Sequence, residues 1–531
     1  MKKIMVLLTI LLVLGGCSQK PSDRETFTVG MECNYAPYNW TQSDQGVTGV
    51  AIEGGQYCEG YDVQIAKLLA EDMNKDLVIR KITWEGLILS TQTGQIDAII
   101  AGMSPTDERK QEITFSEPYY IDSLTEFGIV VKRDGPFADG QGLDGFKDAL
   151  VTAQVGTFHP ELLAQLNGVQ VAQYMQDFGT MIVSLGAGEI DGFISDNGTG
   201  DTINYKHPDL KYIPIKGETG FELTDAMVGV SVGMNKTNYE LHKEVNEALS
   251  NISSETQADL MDKAVHAGDF SSGNFFEQIT QIISNNYPAF IRGTITTLVL
   301  SITATLIGFF IALLIAVSRG SKVTNAIANV YVTFFRGTPM MVQAMVMFYG
   351  VSVIIPGFRW SNLPMGNLVA GIVIVSINTG AYMAETVRGG IQAIDSGQFE
   401  AATSLGFTKW ETMRHIILPQ AIKNAIPALG NELIVNVKDT SVLNIIGVSE
   451  LFFVSSGIAS SNYQIMQTFT ITSAIYLFLT TILSIILRFV EMRLDKTKTR
   501  PSTYPTSMTD ADNMAQGGHY VRNYIISRKC L

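Results

Sequence analysis

The sequence predicts a two-part fold: an α/β region large enough for two lobes, then an all-α membrane region of about five helices. Three observations carry this. Between Arg24 and Asn274 short β-branched runs alternate with amphipathic stretches, beyond Asn285 long apolar segments take over, and the basic residues between those segments fall mainly on one side. The composition agrees. The 531-residue chain is 46% hydrophobic and only 17% charged, against about 25% in ordinary globular chains, so part of it belongs in lipid. The net charge is 37 − 51 = −14, and without clustered Lys and Arg a nucleic-acid partner is disfavoured. Four cysteines with no Cys-x-x-Cys or Cys/His cluster provide neither a disulfide scaffold nor a metal site.

Taking the elements in order, residues 1–20 read as a targeting segment. Met1-Lys2-Lys3 is basic and Ile4 to Leu14 is apolar but too short to span a bilayer. Leu14-Gly15-Gly16-Cys17 resembles a bacterial lipobox, which would make Cys17 the lipidated residue; an ordinary cleaved signal peptide or an uncut anchor are the other readings. Each carries the next segment out of the cytoplasm, where disulfides are permitted.

Residues 24–274 form the α/β unit. Phe27 to Met31 and Ala98 to Ala101 read as buried strands, and Tyr61 to Asn74 as a helix. Such alternation predicts open, mostly parallel sheets. About 250 residues is large for one sheet and comfortable for two lobes.

Residues 286–495 form the membrane unit, with apolar segments at about Thr294–Val317, Ala326–Ile354, Leu368–Ala384, Val442–Ile458 and Met466–Leu487. Arg319, Lys322, Arg388, Lys409, Arg414, Lys423, Arg488 and Arg493 share one side of these segments, and the opposite loops carry mainly Arg359. The positive-inside rule then sets the α/β unit outside and the C-terminus in the cytoplasm. Residues 496–531 lack periodicity and read as a disordered cytoplasmic tail.

The run Phe27–Tyr38 is followed by Gly60-Tyr-Asp-Val-Gln-Ile-Ala66, Trp84-Glu-Gly-Leu87, Ile96–Lys110 and Phe115-Ser-Glu-Pro-Tyr-Tyr120. In this order the pieces resemble the family 3 extracellular solute-binding proteins, which capture polar amino acids. The resemblance implies a bilobed, periplasmic-binding-protein-like α/β domain of two open sheets, lobe 1 at about 24–128 and 230–270 and lobe 2 at about 129–229. Paired crossings near Phe127–Lys132 and Ala226–Met234 would allow hinge closure.

A free amino acid carries a carboxylate and an ammonium on one carbon, so its receptor needs a fixed cation near a fixed anion. Guanidinium matches a carboxylate bidentately, which suits Arg109, with Gly102, Ser104 and Thr106 beside it; an exposed Arg109 paired with Glu108 or Glu112 is the bland alternative. By resemblance Asp196 receives the ammonium, although Asp196-Asn197-Gly198 is also a turn signal. Gln154 and Thr157 resemble the lobe 2 loop that reaches the ligand. Tyr35 and Trp84 stand where relatives clamp the ligand side chain, or else are core aromatics. Glu32 beside them could meet a cationic side chain, but glutamine-binding relatives also carry an acid here, so the residue does not settle specificity; a basic amino acid is favoured and glutamine is second. The segment Gln45 to Glu59 looks like an insertion; its Cys58 and Cys33 are a candidate disulfide closing a loop of about 25 residues.

Glu400-Ala401-Ala402, Gly406 and Ile416-Ile-Leu418-Pro419 look like the cytoplasmic coupling loop of ABC importer permeases. Gly406 would permit a sharp turn, Pro419 would end the second helical piece, and Glu400 would cap or salt-bridge the joint. Phe335-Arg-Gly-Thr-Pro339, Gly380–Glu385 and Lys438-Asp-Thr-Ser441 extend the resemblance to the polar amino-acid permease branch. Glu385 and Asp439 are candidates for the translocation path, with pairing to Arg388 or Lys438 as the alternative.

No GxxxxGK[ST] occurs, so ATP would be used by a separate ABC ATPase subunit on the cytoplasmic face and this chain would bind no cofactor. About five helices cannot readily enclose a path alone, which predicts a homodimer in the bacterial cell membrane. The expected function is therefore capture and import of a polar amino acid by a non-enzymatic transporter subunit. A ligand-gated channel or an amino-acid sensor built on the same bilobed module are the competing classes.

Overall fold

The computed structural model describes residues 24–495 apart from 43–44, 47, 122–125, 217–219, 266, 268–273, 320, 356–357 and 463. The targeting segment with Cys17 and the tail after 495 lie outside the described residues.

The α/β part holds two five-stranded sheets and one four-stranded sheet. In the first, Thr26–Met31 lies between Asp76–Lys81 and Ala98–Ile99, parallel to both, and Gly229–Met234 is antiparallel to Ala98–Ile99 on one side and to the edge strand Thr114–Ile121 on the other. In the second, Leu150–Thr152 runs parallel to Gln170–Val171 and Gly192–Asp196, while Phe127–Lys132 is antiparallel to both Gly192–Asp196 and Leu210–Pro214. Each sheet thus runs mostly one way, with a single opposed strand: Gly229–Met234 in the first and Phe127–Lys132 in the second. The reason is the chain's route: Phe127–Lys132 and Gly229–Met234 each follow a passage from the other sheet, and each enters against the local strand direction. Phe127–Lys132 is already a strand of the second sheet, so the first passage precedes it.

The third sheet is antiparallel and runs Asn34–Tyr35, Asn39–Gln42, Gln56–Glu59, Val50–Ile52. It uses the inserted segment, and Cys33 and Cys58 are bonded across it with Cα atoms 5.9 Å apart. Phe27, Val29, Tyr61, Ile65 and Leu69 pack with Phe178 and Phe193 in a core that joins both lobes.

In the helical part, Phe275–Ser318, Gly366–Gln392 and Ile465–Arg493 are long and apolar enough to cross a membrane. The 44 residues of the first reach ~66 Å at ~1.5 Å each, about twice the ~30 Å hydrocarbon layer, so it extends beyond the bilayer. Two bent pairs bring the count to five: Lys322–Gly337 with Met340–Ile354, turned by 110°, and Lys409–Ile446 with Leu451–Ser461, turned by 57°. The segment expected as one span over Ala326–Ile354 is therefore broken, at Thr338-Pro339, where proline removes a donor and biases Thr338 to an extended conformation. The fourth span begins well before Val442. Its inner part, Leu418–Asp439, carries Asn, Lys and Glu and so escaped a reading based on hydropathy.

The two parts touch along one end of the helices. Arg359 Nη1 pairs with Asp97 Oδ1 at 3.1 Å, Arg292 Nη1 donates to Gly55 O at 2.8 Å, and Ser90 Oγ to Tyr349 Oη at 3.3 Å. The second lobe also reaches the helices, through Gly179 against Ile465.

Candidate functional site

The C-terminal ends of the central strands supply the cleft. Glu32 follows Thr26–Met31, Gly102 and Ser104 follow Ala98–Ile99, and Asp196 ends Gly192–Asp196. In open α/β sheets the crevice beyond these ends is where ligands sit. Glu32, Tyr35, Trp84, Gly102, Ser104 and Arg109 from one side face Gln154, Thr157 and Asp196 from the other around a single cavity of about 50 Å³.

Arg109 sits in the short helix Asp107–Glu112, with Thr106 as its N-cap accepting the Arg109 N–H at 3.4 Å. The guanidinium forms no ion pair with Glu108 or Glu112. Its Nη1 donates to Ser104 O at 2.9 Å and its Nη2 to Gly156 O at 3.1 Å, and it lies 5.1 Å from the Trp84 ring centre. Trp84 Nε1 donates to the same Gly156 carbonyl at 3.0 Å. Burial pushes the Arg109 pKa down to about 10, opposed by nearby Glu108; it remains a cation at neutral pH. Thr106 is not on the cavity wall. It works from behind, fixing the turn that aims Arg109.

Asp196 is no simple turn residue. It caps the helix Asn197–Lys206, accepting the Thr199 N–H at 2.9 Å on Oδ1, and takes the Tyr35 hydroxyl on Oδ2 at 2.8 Å. Burial raises its pKa, while the Thr199 and Tyr35 hydrogen bonds pull it back. Tyr35 is stacked between Tyr38, at 4.8 Å, and Phe178, at 5.6 Å. A Cβ at Gly102, where φ is +60°, would fall 2.7 Å from Tyr35 Cε1, so glycine lets the loop pass the ring.

Beneath the cleft, buried Asp62 accepts from Tyr119 Oη at 2.7 Å and Asn39 Nδ2 at 2.7 Å, and Tyr119 Oη accepts the Gly102 N–H at 3.0 Å. This chain of bonds fixes the floor on which Ser104 and Arg109 stand. In the opposing loop Thr157 Oγ1 donates to Gln154 O at 2.7 Å and Gln154 Nε2 to Gln176 O at 3.0 Å.

Glu32 is nine-tenths buried, and among the described residues its carboxylate has no hydrogen-bond partner. Burial pushes its pKa from 4.5 up to about 8, with Asp177 and Glu85 adding to the rise and Lys81 opposing it. Sequence reasoning missed His159, Tyr38 and Phe158, which also line the cavity. His159 is buried and its pKa falls to about 4, from burial first and the Arg109 charge second; it presents a neutral ring. The signal was adjacency, since Phe158-His159 directly follows Thr157 and Tyr38 closes the run containing Tyr35.

At the opposite end of the helical part, Glu400, Ala401 and Ala402 lie in the helix Ser396–Ser404. Gly406 has φ +83°, the Gly406 N–H donates to Thr403 O at 3.0 Å and the Phe407 N–H to Ala402 O at 3.1 Å, a helix stop that favours glycine. Leu405, Phe407 and Trp410 are exposed there. Two details differ from expectation. Asp395, not Glu400, caps the helix, and the Glu400 carboxylate is exposed without an ion pair among the described residues. Pro419 does not end a helix: a π-turn over Met413–Ile417 leads into Leu418–Asp439, and Pro419 occupies the first turn, where a missing N–H costs little. Glu385 is paired with Arg319 at 2.9 Å and Arg388 at 2.5 Å. Asp439 ends its helix exposed.

Comparison with known proteins then identifies both parts. Residues 27–266 match the bacterial extracellular solute-binding proteins, family 3, and residues 304–496 the binding-protein-dependent transport system inner membrane component. The glutamine transport system permease protein GlnP of Escherichia coli (strain K12) is 35% identical over 209 residues, 39% of this chain and 93% of that protein. The probable amino-acid permease protein YxeN of Bacillus subtilis (strain 168) is 35% identical over 212 residues, 40% of this chain and 93% of its own length. Among solved structures, an amino acid ABC transporter substrate-binding protein AbpA from Streptococcus pneumoniae bound to L-arginine aligns with a TM-score of 0.38 and 22% identity, over 45% of this chain and 94% of that one. This chain belongs to the binding-protein-dependent inner-membrane permeases of amino-acid ABC transporters and carries its family 3 solute-binding domain in the same polypeptide.

Proposed function

We propose that this protein captures a basic amino acid outside the bacterial cell and passes it inward, as the fused receptor and permease of an ATP-driven importer. One observation carries the reading: a guanidinium, a helix-capping carboxylate and a buried carboxylate without a hydrogen-bond partner line one cavity, at Arg109, Asp196 and Glu32. The first two match the carboxylate and ammonium of any amino acid. The third stays protonated until a cationic side chain arrives, and a lysine, arginine or histidinium would supply that charge. Glutamine is the second choice, as the named cargo of the Escherichia coli permease relative.

ATP is hydrolysed by a separate subunit docked at the loop around Gly406, where Leu405 and Trp410 offer an apolar surface. Two copies of the chain enclose the path. The binding domain touches the loop bearing Arg359, and the basic loops lie at the far end, which supports an extracytoplasmic receptor by the positive-inside rule.

Calorimetry of the full detergent-solubilised chain against the twenty amino acids is the test. Saturable binding of a basic amino acid supports the reading, and binding of glutamine alone shifts it to the second cargo. Absence of binding by every amino acid would sink it.

A further inference from the structure

A second cavity, of about 70 Å³, lies where the binding domain meets the permease. Its receptor wall holds Glu32, Lys81, Glu85 and Asp177; its permease wall holds Asn444, Phe453 and Ser456. Glu32 and Trp84 line this cavity and the ligand cleft alike, so the two are separated only by those side chains.

The titratable groups are unbalanced. Three carboxyl groups face one amine, Lys81, whose pKa burial lowers to about 7 against the opposing pull of Glu32. Among the described residues the carboxylate of Glu32, nine-tenths buried, has no hydrogen-bond partner, and neither the Asn444 amide nor the Ser456 hydroxyl donates or accepts a hydrogen bond. The Lys81 side chain shows what this space accepts. Carried at the end of the strand Asp76–Lys81, it is buried, donates to Thr41 Oγ1 at 3.1 Å and sits 4.8 Å from the centre of the Phe453 ring. A Cβ at Gly457 would fall 2.7 Å from Lys81 Nζ, so the permease helix Leu451–Asn462 leaves room for that group at the one position without a side chain. A permease aromatic face and a receptor carboxyl group thus already share one cavity with a basic side chain.

We propose that this junction is a transfer site for the cationic side chain of the cargo, which passes from the cleft by way of Glu32 to Asn444 and Ser456 of the permease. The inference rests on the basic amino-acid reading. Glu32 belongs to both cavities, so the side chain keeps one counter-charge while it changes hosts, and Glu85 and Asp177 hold the far side attractive. Lys81 is the resident amine that the passing cation must displace or shift.

The test uses the full chain reconstituted with its ATPase subunit in liposomes. Glu85→Gln with Asp177→Asn removes two charges outside the cleft, and asparagine keeps the helix cap that Asp177 provides to Thr180 N–H at 2.7 Å. The expected result, above the Glu32 pKa of about 8 where that carboxyl is ionised in both chains, is uptake of the basic amino acid slowed at least ~10-fold at saturation, with its dissociation constant changed less than ~3-fold. Ser456→Trp, which fills the junction, should give the same split. Full-rate uptake in both variants, or equal losses of affinity and rate, overturns the transfer site alone. A wild-type chain that binds no basic amino acid in calorimetry overturns the cargo reading, and this site with it.

Discussion

The hydroxyl of Tyr35 donates to Asp196 at 2.8 Å across the cleft, from one lobe to the other. The bond links residues whose strands belong to different sheets, so it exists only while the lobes are together. Tyr35→Phe keeps the stack on Tyr38 and Phe178 and deletes only this tie. A hydrogen bond to a charged group contributes about 1.5–3 kcal/mol, so ligand affinity should fall about 10-fold or more, with no change in melting temperature of the unliganded chain beyond a few degrees. Calorimetry beside thermal melts checks this, and unchanged affinity would show that the bond does not bias closure.

In the proposed function Arg109 anchors the ligand's carboxylate. Charge reversal, Arg109→Glu, would leave a buried carboxylate facing the ligand's own and should abolish binding at ligand concentrations ~100 times the wild-type dissociation constant. Assembly with the ATPase subunit, followed by co-purification, should persist. Retained binding would remove Arg109 from the site.

With Glu32 as the proposed partner of a cationic side chain, binding should depend on pH. Its pKa rises from 4.5 in the unfolded chain to about 8 in the fold, by burial and the Asp177 and Glu85 charges against Lys81. Between these values the folded state holds a proton that the unfolded state has lost, so its contribution to stability falls as pH climbs through that window. A cationic ligand needs the ionised form, so its affinity should rise toward pH 8 with release of a proton. A neutral ligand such as glutamine should show neither effect. Calorimetry in buffers of differing ionisation enthalpy counts the proton, and Glu32→Gln should erase it.

Gly406 turns the loop proposed to couple to the ATPase, at φ +83°. A Cβ there would meet nothing within 4 Å, so the penalty of substitution is conformational rather than steric. Gly406→Val should misplace Leu405 and Trp410 and reduce ligand-stimulated ATP hydrolysis at least ~5-fold while ligand affinity stays constant. Normal stimulation in this variant would separate the loop from the ATPase.

The Cys33–Cys58 bond closes a loop with a sequence separation of 25. Such a loop stabilises by about 3 kcal/mol through the unfolded chain. Cys33→Ser with Cys58→Ser should lower the melting temperature of the binding domain, and reductant should do the same to the wild type. Insensitivity to both would show that the bond does not form in the membrane.

Much of this protein is legible in one dimension. Short apolar runs mark the buried strands at Phe27 and Ala98, helical spacing marks Tyr61–Asp72, and apolar length marks the Thr294–Val317 stretch of the helix Phe275–Ser318, because local pattern records how an element meets the core. The chemistry of Arg109, Asp196 and the Gly406 turn is equally local, since it needs only the residue type and its neighbours. Tertiary structure decided the rest. Strand direction at Phe127–Lys132 depends on where the chain re-enters a sheet, which no window of residues encodes. The polar helix Leu418–Asp439 belongs in the membrane part because its neighbours cover it, not because it is apolar. Glu32 acquires its double position, between the cleft and the permease, from walls more than four hundred residues apart in the chain. Burial of a charge is a property of the assembled molecule, and its energetic consequence cannot be read until the low-dielectric surroundings are in place.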